Sequence, residues 1–193
     1  MKYLFHLLLL ITATSLVRIP AQAQIQINAF GSYVAPVGDK STISDGLSGV
    51  GGSIRYLTSP HVALGLSAQR LAKTLSYGSF TAKTRNLYVA GQAEYFFSTS
   101  ALQPYVGIEV GLIRDTYRTE LVDDALGYNY FREGRNYYFN FGPKAGIQYM
   151  ITPLVGVNAE ATYKIIVDQG SPENQALLLN AGIVVKLGSQ RSD

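Results

Sequence analysis

Glu94, Glu109 and Glu160, His61, the adjacent Asp123 and Asp124, and an arginine–aromatic cluster around Phe131 are the groups that could do chemistry in this 193-residue chain. A serine nucleophile needs a positioned base, most often histidine. The chain has two histidines. His6 falls in an apolar leader, and His61 sits in a short turn after Thr58-Ser59-Pro60. Neither is placed to serve a serine among the long polar connections, and no motif points to a Ser–Lys or carboxylate mechanism.

The three glutamates could form a paired-carboxylate site. Lys144 and Lys164 share their phase on neighbouring segments, however, which favours structural ion pairs. Asp123 and Asp124 could hold a cation, but no further oxygen ligands follow at calcium-loop spacing, so a solvated loop is the better reading. There is no cysteine, no His/Cys group for zinc or iron, and no Gly-rich loop leading into a helix for a nucleotide. No catalytic residue, metal ligand or cofactor is assigned. The segment from Arg118 to Tyr138 is the most distinctive surface, with Tyr128, Tyr130, Phe131, Arg132 and Arg135 as a candidate binding cluster. Interleaved aromatics and arginines suit partner binding, and the arginines suit anionic head groups. The same residues read equally well as the upper part of an aromatic girdle followed by a hydrophilic loop.

The elements that must position these groups are strands. Alternation of period two marks eight segments: Ile25–Ala35, Val50–Leu57, Val62–Lys73, Lys83–Phe97, Pro104–Thr119, Tyr137–Ile151, Leu154–Val167 and Leu177–Leu187. Three joins are short: Thr58 to His61, Ser98 to Gln103, and Thr152-Pro153. The other four are longer and more polar: Pro36 to Gly49, Thr74 to Ala82, Glu120 to Asn136, and Asp168 to Ala176. Short turns at one end and long loops at the other are a habit of outer-membrane barrels.

Met1–Ala23 reads as a cleaved secretory signal. Lys2 provides the charged start, Leu4–Val17 an apolar core too short to span a bilayer, and Ala21-Gln22-Ala23 a small-x-small cleavage site. Gln24 is then the expected first residue of a single β domain over residues 24–193. Removing Lys2 and Arg18 reduces sixteen basic residues to fourteen, against thirteen acidic ones. The basic balance therefore carries no argument for nucleic acid.

Alternation does not say which face is inside. A soluble lipocalin-like barrel turns its apolar face in, and a membrane barrel turns it out. Three observations favour the second. Most glycines (Gly51, Gly65, Gly107, Gly111, Gly142, Gly146, Gly156 and Gly182) lie on the polar face, as a crowded interior requires. Aromatics on the apolar face cluster near the segment ends: Tyr56, Tyr95, Phe97 and Tyr149 by the short turns, and Tyr33, Phe139, Phe141 and Tyr163 by the long loops. The polar face also carries charges of both signs. Glu109, Lys144 and Glu160 fall at similar heights, and Arg55, Glu94, Lys164 and Lys186 share their face. These seven residues are expected to form an ion-pair network filling the lumen.

The chain is similar to the small outer-membrane β-barrel domain proteins of Gram-negative bacteria, the porin-like group that includes the OmpA/OmpX-type barrels. Carriers of the resemblance are the signal segment, Gln103-Pro104-Tyr105-Val106-Gly107-Ile108-Glu109-Val110-Gly111, Gly142-Pro143-Lys144-Ala145-Gly146-Ile147-Gln148-Tyr149, and the closing strand. In that strand Asn180, Gly182, Val185 and Leu187 resemble the assembly signal of such barrels, although Leu187 is not aromatic and Gly188–Asp193 follow it. The resemblance implies a monomeric or weakly associated barrel in the outer membrane, inserted from the periplasm by the barrel-assembly machinery and surrounded by outer-membrane lipid and lipopolysaccharide. Some relatives carry a C-terminal peptidoglycan-binding domain; with six residues after the last strand, no such tether is expected here.

The expected fold is all-β: an eight-stranded antiparallel up-and-down transmembrane barrel with both termini periplasmic. The expected role is structural or surface-interacting, with long extracellular loops presented to a protein or ligand. A small gated pore is the alternative. An outer-membrane enzyme, as in the lipid A deacylases and acyltransferases that share this barrel form, is third, and a soluble lipocalin-like carrier is fourth.

Overall fold

Eight strands occupy almost all of the chain that the structure, a computed structural model, describes: residues 24–37, 46–78, 80–123, 128–168 and 171–188. They are β1 (Gln24–Pro36), β2 (Ser48–Leu57), β3 (Val62–Tyr77), β4 (Phe80–Phe96), β5 (Leu102–Asp123), β6 (Tyr128–Met150), β7 (Val155–Asp168) and β8 (Ser171–Leu187). Each pairs antiparallel with its sequence neighbours, and β8 closes on β1. Closure leaves no unpaired strand edge.

The period-two pattern becomes two surfaces. On β5, Gln103, Tyr105, Glu109 and Ile113 are buried, whereas Val106, Ile108, Val110 and Leu112 between them are exposed. On β8, Asn180, Val184 and Lys186 point in, and Leu179, Ile183 and Leu187 point out. Val50 and Leu66 are each more than two-thirds exposed, at 69% and 68%. An aliphatic belt around a whole barrel is far larger than the apolar patches a soluble monomer tolerates. The apolar face is outside, which is the reverse of a lipocalin-like carrier. Its aromatics lie at both rims, including Tyr95, Phe97 and Tyr149 below and Tyr33, Phe139 and Phe141 above.

The glycines follow the same logic. A Cβ placed on inward-facing Gly146 would sit 2.4 Å from Cζ of Tyr105. At outward-facing Gly91 the nearest atom would be 3.9 Å away. Interior glycines are sites where a neighbour's side chain or backbone occupies the space of the missing methyl group.

Three of the four connections expected to be long loops are largely strand. β3 runs to Tyr77 and β4 begins at Phe80, around Gly78 in the left-handed region (φ 54°). β5 and β6 stay paired to Asp123↔Tyr128, and β8 begins at Ser171. Above a bilayer both faces of a strand are wet, so the apolar alternation fades while backbone pairing continues. Met1–Ala23, expected from sequence to be a secretory signal, most of the β1–β2 connection and the residues after Gly188 lie outside the described residues.

The lumen is layered. Leu57, Ala63, Phe96 and Tyr105 form an apolar floor at the short-turn end. Val34, Leu47, Leu71, Tyr88, Ile113, Ile166, Ala176 and Leu178 form a larger apolar layer towards the other end. Charged side chains fill the space between.

Candidate functional site

The middle layer is built from inward positions of β2, β4, β5, β6 and β7. Arg55 extends from β2, its Nε 2.9 Å from Glu94 Oε2 and its Nη2 3.0 Å from Glu160 Oε2. Lys144, on β6, lies between three carboxylates: 2.9 Å from Glu94, 3.0 Å from Glu160 and 3.9 Å from Glu109. Lys164 pairs with Glu109 and donates to Asn140 Oδ1 at 3.3 Å. Three cations thus meet three anions, and the layer is electrically balanced.

Neutral groups complete it. Tyr105 donates its hydroxyl to Glu160 Oε2 at 2.8 Å, and its ring lies 5.0 Å from the Arg55 guanidinium carbon. Asn180 Nδ2 donates to Glu160 Oε1 at 2.9 Å, and Lys144 Nζ donates to Gln92 Oε1 at 2.9 Å. Tyr105 and Asn140 had no place in the network expected from sequence. Their signal was phase: each occupies an inward position on its strand, and an inward polar side chain beside a buried charge becomes its partner.

Lys186, expected in this network, does not join it. Its Nζ donates to Gln103 Oε1 at 3.2 Å, and Gln103 Oε1 also accepts from Gln148 at 3.0 Å. Register explains the separation. Glu160 lies opposite Asn180, and Lys186 is six residues nearer the short-turn end, roughly 20 Å along the strand. No lysine side chain spans that distance.

This geometry limits the chemistry. Glu94, Glu109 and Glu160 are only 3%, 3% and 8% exposed, and each contacts at least one cation. A general acid or base must reach its substrate; these carboxylates reach one another's counter-ions. Buried charges held by several partners are costly to disturb individually.

The second candidate cluster lies at the other end, and it is strand rather than loop. Tyr128, Tyr130, Phe131, Arg132 and Arg135 all belong to β6. Phase divides them. Phe131 and Arg135 share the outward phase; Tyr130 and Arg132 share the lumen phase above the barrel, as does the backbone position of Tyr128. On the outer side, the Arg118 guanidinium lies 4.8 Å from the Phe131 ring centroid and its Nε donates to Glu120 at 2.6 Å. On the inner side, Arg132 lies 5.9 Å from the ring of Tyr117. Asp123 ends β5, and Asp124 lies outside the described residues.

His61 is in the β2–β3 turn. Its Nδ1 donates to the Phe96 carbonyl at 2.7 Å, and its ring stacks on Tyr95 at 5.8 Å between centroids. These contacts tie one short turn to the next strand.

Comparison with known proteins agrees with this architecture. A profile of the family described as "Outer membrane protein beta-barrel domain" matches residues 6–184. No curated protein sequence matches the chain. Among solved structures, the chain resembles the outer membrane protein OprG of Pseudomonas aeruginosa, with a TM-score of 0.60, 16% identity, and coverage of 87% of this chain and 97% of that one. It also resembles Ail, the attachment invasion locus protein of Yersinia pestis, with a TM-score of 0.59, 11% identity, and coverage of 86% and 98%. Neisserial surface protein A gives a TM-score of 0.56, 19% identity, and coverage of 86% and 97%. At such identities the likeness shows the fold. The profile spans most of the chain, and the protein belongs to the outer membrane protein beta-barrel domain family.

Proposed function

We propose that this protein is a non-enzymatic outer-membrane barrel with a structural or surface-interaction role. In this reading Met1–Ala23 is cleaved on export, the barrel-assembly machinery inserts the chain as a monomer, and both termini and the short turns face the periplasm. The tall β3–β6 wall then stands outside the cell and meets lipopolysaccharide or an extracellular partner.

The observation that supports it is the charge-balanced plug of Arg55, Glu94, Glu109, Lys144, Glu160 and Lys164. Eight strands enclose a lumen that side chains can fill; open aqueous channels come with roughly sixteen or more. Apolar clusters lie above and below this plug, which fills the middle of the lumen with paired side chains. Planar-bilayer recording on purified protein tests the reading. The expected result is no unitary conductance. Stable ohmic steps whose ion selectivity changes on Lys144→Gln would overturn it in favour of a gated pore.

A further inference from the structure

Strand register places a cationic wall on one side of the barrel. Arg70 and Arg114 share one outward row across β3–β6, Arg85 and Arg135 the next, and Lys83 and Arg118 the third. Each row stands two residues, about 7 Å, above the last. All are exposed except Lys83, which is half-buried. Two carboxylates accompany them: Glu133 in the third row and Glu120 in the row above. Arg118 is held by Glu120. The other five cations have no salt bridge among the described residues. On β1, β2, β7 and β8, no described outward position carries a cation.

The height of this wall is set by the belt below it. Outward residues of β5 are apolar from Leu102 to Leu112, an eleven-residue stretch. That is about the length a tilted strand needs to cross the hydrocarbon. Arg114 is the next outward residue. On β6, Arg135 follows outward Tyr137 in the same way. On β5 and β6 the cations therefore begin where acyl chains end, on a side wall that faces neighbouring lipid; Arg70 on β3 follows a shorter outward apolar stretch, Val62–Ala68. The anions at that height are head-group phosphates. Guanidinium groups pair with them bidentately, and their aliphatic stems can lie against the apolar belt.

We infer that the outer wall of β3–β6 binds the phosphate-bearing head group of an anionic outer-leaflet glycolipid. This rests on the outer-membrane reading above and names the partner of that surface. A soluble polyanion would be better served by a cationic patch at the hairpin tips; these rows lie flush with the lipid-facing belt.

The test uses full-length mature protein folded in zwitterionic micelles, with folding verified by the mobility shift on boiling. Binding of fluorescent diphosphoryl lipid A is then titrated for the wild type and for R85Q/R114Q/R135Q. A cationic side chain near an anionic lipid surface contributes about fivefold each, so the triple variant should bind about a hundredfold more weakly. Arg114→Gln alone should lose about fivefold, which keeps the test usable if the triple variant does not fold. Wild-type binding should also weaken as salt is raised. Equal affinity of wild type and variants, or equal affinity for lipid A stripped of its phosphates, overturns the proposal. So does tighter binding of a heparin fragment than of lipid A, which would identify a soluble polyanion. If the wild type shows no boiling-dependent shift, the barrel reading fails together with the proposal.

Discussion

Lys144→Met is the most informative perturbation of the lumen. It removes the one cation that touches all three carboxylates, at 2.9, 3.0 and 3.9 Å, and also a hydrogen bond to Gln92. The layer changes from three cations against three anions to two against three. Breaking a buried ion pair on one side costs about 3–5 kcal/mol, because the remaining charge is desolvated without compensation. Here Arg55 still reaches Glu94 and Glu160, and Lys164 still reaches Glu109. No carboxylate is orphaned outright, so the lower end of the range applies, about 3 kcal/mol. At about 1–3 kcal/mol per molar urea, the unfolding midpoint should fall by roughly 1–3 M. The chain has no tryptophan and fourteen tyrosines, so the assay follows boiling-dependent gel mobility, or circular dichroism, in lipid vesicles. Glu94→Gln in the Lys144→Met background restores charge balance and should recover roughly 1 kcal/mol or more relative to additivity. An unchanged midpoint, or strict additivity of the two substitutions, would refute the idea that these side chains act as one coupled plug.

Three further outcomes follow from the geometry. Ile108→Lys places a charge on the outward belt, where Ile108 is 60% exposed; it should cost about 2–4 kcal/mol in vesicles, and a neutral effect would argue that this face meets water. Gly146→Ala puts a methyl group 2.4 Å from Tyr105 Cζ; urea unfolding should show a loss of about 1–3 kcal/mol, relieved by adding Tyr105→Ala, and no relief would mean the clash lies elsewhere. Deleting residues 118–133 joins the present register partners Tyr117 and Gly134 as a two-residue turn closed by the Thr116↔Arg135 pair. It should spare the boiling-dependent shift, changing stability by less than about 1 kcal/mol, while removing binding at the tip; loss of folding would make the tall hairpin part of the barrel's core.

The sequence alone determined the strand faces. Alternation is a local property of the pleat. From it, Leu179, Ile183 and Leu187 could be separated from Asn180, Val184 and Lys186, and the polar face could be identified as the crowded one from its glycines and balanced charges. The three short turns and the closed eight-strand architecture were legible for the same reason. Tertiary structure decided which groups meet. Whether Lys186 reaches Glu160 depends on the stagger of β8 against β7, and closure of the barrel fixes that stagger. The meeting of Arg55 with Glu160 is a contact across the lumen between residues 105 apart in sequence, invisible to any local pattern. The tall β5–β6 hairpin was hidden by its own environment: with water on both faces, it carries no apolar period to betray a strand. Its outward cations fall into common rows only once the register across β3–β6 is known.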